Sequence, residues 1–205
     1  MMSQCPKWSL MILRSTPIFK SIVALQCLNL CNVICSNSVP LVKRFSEVKT
    51  ELLQNGNVLD ENITLFGFRT AVFLQDGFYL NGKKVKLRGL NRHQSYPYVG
   101  YAMPESMQKR DADILKNELG VNAVRTSHYP QSRHFVERCD ELGLLVFTEI
   151  PGWQHIGDEI WKKQAVENVK DMVEQYRNHP SVILWGVRIN ESGDDDAFYR
   201  ETNRV

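Results

Sequence analysis

Beyond residue 85 the apolar positions fall into short runs separated by longer stretches of helical spacing, and polar residues gather where the short runs end. The clearest run is Val182 to Val187, bulky except for Gly186, which predicts a strand covered on both faces as in a parallel sheet. It leads to Asn190-Glu191. Upstream, Val85 to Leu90 reads as a strand ending in Asn91-Arg92-His93, Val121 to Val124 as one ending in Arg125-Thr126-Ser127-His128, and Leu144 to Phe147 as one leading to Thr148-Glu149. Between them Pro104 to Leu119 reads as a helix with proline near its first turn and Gly120 just past its end. Gln131 to Leu142 reads as a helix closed by Gly143, and Glu159 to Tyr176 as a third.

Strand and helix in alternation require a parallel sheet with right-handed crossovers. A doubly wound sheet would carry a glycine-rich phosphate turn after its first strand, and this chain has none. A (β/α)₈ TIM barrel instead gathers polar residues at the C-terminal ends of several strands, the pattern of His93, His128, Glu149 and Glu191. The expectation is therefore α/β, the N-terminal half of a barrel, because a complete one needs about 250 residues.

Before residue 85 the texture is β. Val48 to Gln54 and Val58 to Arg69 flank Asn55-Gly56, a two-residue hairpin turn. A second hairpin signal follows in Phe78-Tyr79-Leu80, Asn81-Gly82 and Val85-Lys86-Leu87. Residues 1–46 stay unassigned. Lys7, Arg14 and Lys20 precede an apolar run from Ser21 to Ser36 that copies a secretory signal, yet Gln26, Asn29 and Asn32 interrupt it, and it is too short and polar to span a bilayer. A signal peptide and a misassigned start both remain open.

Composition narrows the partners. The 205 residues carry a net charge of +2 and no long basic block, so neither nucleic acid nor an anionic membrane is expected. Cys27, Cys31 and Cys35 would align on one helix face, but no histidine accompanies them, and only Cys139 lies in the body of the chain. The cysteine-poor body favours the cytoplasm, with secretion the alternative if residues 1–36 are a signal.

Glu191 is the leading chemical candidate. Set against an apolar strand end beside Trp185, its pKa would rise enough for it to donate a proton to a leaving oxygen, while Asn190 would bond a sugar hydroxyl. The alternative is a solvated loop running into Asp194-Asp195-Asp196. His93 and His128 would grip a hydroxyl or serve as structural hydrogen-bonders. Arg92 and Arg125 would pair with carboxylates at the mouth, including Glu149 or Glu191. From spacing alone Glu149 and Glu191 would form the two-carboxylate device of glycoside hydrolysis, with Trp153 stacking on a sugar face or packing its loop.

Asn122-Ala123-Val124-Arg125-Thr126-Ser127-His128-Tyr129-Pro130, with Phe135-Val136, Asp140 and Gly143 to Phe147, resembles the first signature of glycoside hydrolase family 2, the β-galactosidase and β-glucuronidase group. Asn178-His179-Pro180 through Asn190-Glu191 resembles its second. Phe78 to Gly82 and Arg88 to His93 look like the entry to that family's barrel, and Phe66-Gly67-Phe68-Arg69 like the end of its immunoglobulin-like β-sandwich. The resemblance implies sandwich strands over 47–76 and half of a catalytic barrel over 77–205. It implies Glu191 as general acid/base, Asn190 on the sugar 2-hydroxyl, His93 and His128 as substrate-binding residues, and Glu149 as a supporting one. The implied reaction is retaining hydrolysis of a terminal β-glycoside, with the nucleophile on a later strand and a divalent cation such as Mg in some relatives. It further implies that this chain is a fragment lacking the nucleophile and that its full-length parent, β-galactosidase-like or alternatively a β-glucuronidase, can oligomerise; the other alternative is a noncatalytic carbohydrate-binding or interaction fragment.

Overall fold

The computed structural model describes residues 22–28, 45–54 and 57–205, and the chain divides into two compact units between Phe68 and Arg69. The first contains an antiparallel sheet of β1 (Ile22–Leu28), β2 (Phe45–Gln54) and β3 (Asn57–Gly67), in that order. The expected hairpin is present, its ladder running from Phe45 opposite Gly67 to Gln54 opposite Asn57, while the Asn55-Gly56 turn lies outside the described residues. Cys27 sits in β1, opposite Val48, so the helical alignment of the early cysteines does not hold there; Cys31 and Cys35 lie outside the described residues.

The second unit opens with a small antiparallel sheet, β4 (Ala71–Leu74), β5 (Gly77–Leu80) and β6 (Lys83–Val85). Asn81 and Gly82, at φ 51° and 80°, supply the left-handed pair that a type I′ turn needs. β4 lies in this second unit, whereas the resemblance implied that residues up to 76 go with the preceding strands. The run expected as a single strand from Val85 to Leu90 is split: Val85 closes the hairpin, and the first parallel strand, β7, spans Gly89–Arg92.

Four parallel strands follow in the order of the chain: β7, β8 (Ala123–Thr126), β9 (Leu145–Glu149) and β10 (Val182–Gly186). Helix α1 (Glu105–Asp113) begins after Pro104 and widens into a π-helical turn over Ile114–Glu118, where Leu119 N–H reaches Ile114 O at 3.0 Å. Helix α2 (Arg133–Leu142) is capped by Ser132 and ends on Gly143 in the left-handed conformation, φ 65° and ψ 38°. Helix α3 (Glu159–Tyr176) starts from Asp158, whose side chain accepts from Trp161 N, and α4 (Asp196–Thr202) adds a short helix that the sequence pattern did not show.

The helices cover one face of this sheet. Val124, Val146 and Val182 pack there against Phe135, Cys139, Val169, Met172 and Tyr176. The opposite face carries Leu90 and Leu184, 46% and 37% exposed. An irregularity between Val182 and Leu184 resets the alternation, so that Trp185 stands opposite Thr148 and packs toward the helices, while Gly186 stands opposite Glu149. A Cβ at Gly186 would come within 2.7 Å of Glu149 Cβ and 2.8 Å of Phe147 Cε2. Gly186→Ala should therefore destabilise the chain by about 1–3 kcal/mol, read as a lower urea midpoint. No helix among the described residues is long and apolar enough to cross a membrane.

Candidate active site

The C-terminal ends of β7 to β10 bring the expected residues to one edge. Strand alternation decides which of them lie on the face away from the helices. Arg125 and Glu149 share that face, whereas Arg92, opposite Thr126, turns to the helices. There its guanidinium donates to Asp111 at 2.8 and 2.9 Å, to Gln108 at 2.8 Å and to Gln131 at 2.6 Å, and lies 4.0 Å over the Phe135 ring. The expected pairing of Arg92 with a carboxylate at the mouth is thus replaced by a buried brace between strand and helices.

Arg125 behaves as expected. It donates through Nε and Nη2 to the two oxygens of Glu149, the second contact at 3.0 Å, and Nη2 also donates to Asn190 Oδ1 at 2.7 Å. Glu149 is 2% exposed, and His128 Nδ1 lies 3.4 Å from its Oε2. A carboxylate held this way only accepts, so the proton in this contact belongs on His128 Nδ1. Buried beneath these partners, Glu149 cannot serve as the second carboxylate that spacing alone had offered. The His93 ring meets the His128 ring edge-on at 5.3 Å. Tyr129 fixes the connecting loop, its hydroxyl accepting from Gln94 N at 2.8 Å.

Glu191 is exposed and adopts φ 57°, as Gln154 adopts φ 59°. Such left-handed non-glycine residues persist only where surrounding contacts hold them. Here the contacts are explicit. Asn190 O accepts from Gln154 N at 2.7 Å, and Glu191 Oε2 accepts from Gln154 Nε2 at 3.0 Å and from Trp153 Nε1 at 3.2 Å. Trp153, 58% exposed, therefore binds the carboxylate by its edge, a role the sequence did not suggest. Trp185, the neighbour expected from sequence, faces away toward the helices.

The expected rise of the Glu191 pKa is also reversed. Hydrogen bonds from Gln154 and Trp153, then from Asn190, with the nearby His128, hold the carboxyl below the ordinary glutamate value. Its ionised form is favoured in the fold; that contribution is complete above the unfolded pKa and fades as pH falls through the folded one. A carbon-13 NMR titration of Glu191 should give a depressed midpoint, and Gln154→Met should move it upward. An unchanged midpoint would remove Gln154 as the cause.

Asn178-His179-Pro180 has a structural task. His179 Nδ1 lies 2.6 Å from Asp140 Oδ2, and Ser181 N donates to Asp140 Oδ1 at 2.8 Å, fixing the entry to β10 on α2. As for a divalent cation, no group of three or more His, Cys, Asp or Glu among the described residues is placed to hold one, and Glu149 is committed to Arg125 and His128.

Residues 72–203 match the family model for the TIM barrel domain of glycosyl hydrolases family 2. A β-galactosidase of Thermoanaerobacterium thermosulfurigenes is 66% identical over 159 residues, covering 78% of this chain and 22% of that protein. A putative β-glucuronidase of Formosa agariphila is 38% identical, covering 76% of this chain and 20% of that protein. Among solved structures, apo β-glucuronidase 3 of Bacteroides uniformis superposes with a TM-score of 0.70 at 40% identity, covering 78% of this chain and 22% of that one. This chain thus spans about a fifth of the length of these relatives. Four parallel strands in chain order, with His93, His128, Glu149 and Glu191 at their C-terminal ends, are the beginning of that barrel, and the chain belongs to glycoside hydrolase family 2.

Proposed function

We propose that this segment carries the acid/base side of the active site of a retaining β-glycosidase, of β-galactosidase type. The observation that carries the reading is the Glu191 carboxyl, fixed at the end of β10 by Trp153 and Gln154 next to Asn190. In the proposed reaction Glu191 protonates the departing glycosidic oxygen, a second carboxylate attacks the anomeric carbon, and Glu191 then takes a proton from the water that releases the sugar. Glu149 is engaged beneath the mouth, so the nucleophile is a group outside the described strand ends. A second carboxylate brought up to Glu191 would push its pKa upward by like-charge repulsion, offsetting the downward pull of its present donors and letting it start protonated. His93 and His128 would face sugar hydroxyls, and Trp153 would flank the ring.

The identity of 66% to a β-galactosidase favours galactosides over glucuronides. The test is a hybrid enzyme in which residues 72–203 of this chain replace the matching segment of the T. thermosulfurigenes protein. The folded hybrid should hydrolyse p-nitrophenyl β-galactoside faster than the β-glucuronide. The reverse preference would move the parent activity to glucuronides. A folded hybrid that binds galactose without hydrolysing either would establish the noncatalytic alternative.

A further inference from the structure

A guanidinium group has five N–H donors and no acceptor, so whatever atom lies against it must be an acceptor. Arg125 Nη2 lies 2.7 Å from the side-chain amide of Asn190, and the atom there is therefore its oxygen. Arg125 is not free to swing away, because Nε and Nη2 also bond the two oxygens of Glu149, a side chain only 3% exposed. Nor is the main chain of Asn190 free. Its carbonyl accepts from Gln154 N at 2.7 Å, and the residue forms a parallel bridge with Trp153. The one remaining freedom of this side chain is the half-turn that exchanges its oxygen and nitrogen. That half-turn would set the NH₂ group against the N–H groups of Arg125, donor against donor.

Resting on the reading that Asn190 meets the sugar 2-hydroxyl, we infer that Arg125 is a positioning residue that holds the Asn190 carboxamide in one orientation, so that Asn190 approaches the saccharide as a donor only. The sugar hydroxyl must then accept from Asn190 Nδ2 and is left with its own proton to give to another acceptor. A buried carboxylate, Glu149, thereby reaches the substrate at second hand. It fixes Arg125, Arg125 fixes the amide, and the amide sets the polarity of the contact. The same orientation turns Nδ2 toward Glu191, in keeping with Asn190 being among the groups that favour its ionised form.

The test uses the hybrid enzyme with two substrates, p-nitrophenyl β-galactoside and its 2-deoxy analogue. Arg125→Met should lower kcat/KM on the 2-hydroxyl substrate on the order of 100-fold, chiefly through kcat, because a misoriented group loses a contact that matters most in the transition state. The 2-deoxy substrate should be nearly unaffected, and Arg125→Lys, which keeps a donor facing the amide oxygen, should recover part of the loss. Arg125→Met leaves the Glu149 charge without its partner, so Arg125→Met/Glu149→Gln, which removes both charges, carries the same expectation with the fold kept. Asn190→Asp keeps the bond to Arg125 but replaces the outward NH₂ by an oxygen, and should lose the 2-hydroxyl preference too. Equal slowing of both substrates by the arginine variants, or a full 2-hydroxyl preference in Asn190→Asp, would overturn the inference. A wild-type hybrid that is folded but inactive on both substrates would instead overturn the proposed glycosidase reading beneath it.

Discussion

Glu191→Gln in the hybrid enzyme should cut turnover of galactosides with poor leaving groups, such as lactose or methyl galactoside, by about 10²–10⁴-fold, the usual contribution of a positioned acid. Dinitrophenyl galactoside should suffer much less in the step that breaks the bond, since a phenolate of low basicity departs without a proton. The amide is isosteric with the carboxyl and still meets Gln154 and Trp153, so the fold is retained. A loss of the same size on both substrates would assign Glu191 a role other than proton donor. The pH profile supplies a second reading. The limb of kcat/KM due to the acid should vanish in Glu191→Gln, and in the parent hybrid it should lie higher than the titration of Glu191 in the 205-residue chain, where no described carboxylate is among the groups that shift it.

Arg92→Met should lower the unfolding free energy of the chain by about 3–5 kcal/mol, measured by urea denaturation. The side chain is 6% exposed and serves Asp111, Gln108, Gln131 and the face of Phe135 at once. Burial draws its guanidinium pKa down while Asp111 opposes that pull. Methionine fills much of the volume but strands the Asp111 carboxylate and two amide oxygens. A change below about 1 kcal/mol would mean that packing on Phe135, and not the polar network, is what Arg92 supplies.

The case of Arg92 shows where sequence reading reached its limit. Periodicity located β8, β9, β10 and all three longer helices to within a few residues, because hydrophobic spacing and the Pro, Ser, Asp and Gly at helix ends act locally. Which way a strand-end side chain points depends on register, and a shift of one residue exchanges the two faces. Arg92 and Trp185 were misplaced for that reason, the second through the irregularity after Val182. Glu191, Asn190, His93 and His128 were legible as polar groups closing apolar runs. The donors that depress the Glu191 pKa were not, since Trp153 and Gln154 come from a loop whose approach to Asn190 depends on main-chain bonding across 36 positions. The π-helical turn and α4 left no periodic trace: the first differs from α1 only in the partner of each N–H, and the second is too short for a full repeat.

Each parallel strand lies beside the one that immediately precedes it in the chain, so the sheet grows in a single direction. During synthesis on a ribosome this layout lets every new strand and helix settle on a surface already made, with no long loop to close first. His93 emerges first, then Arg125 and His128, then Glu149, and Glu191 follows them, arriving at a loop whose tryptophan and glutamine are already in hand. The order of translation is thereby also the order in which these strand ends are joined to one another.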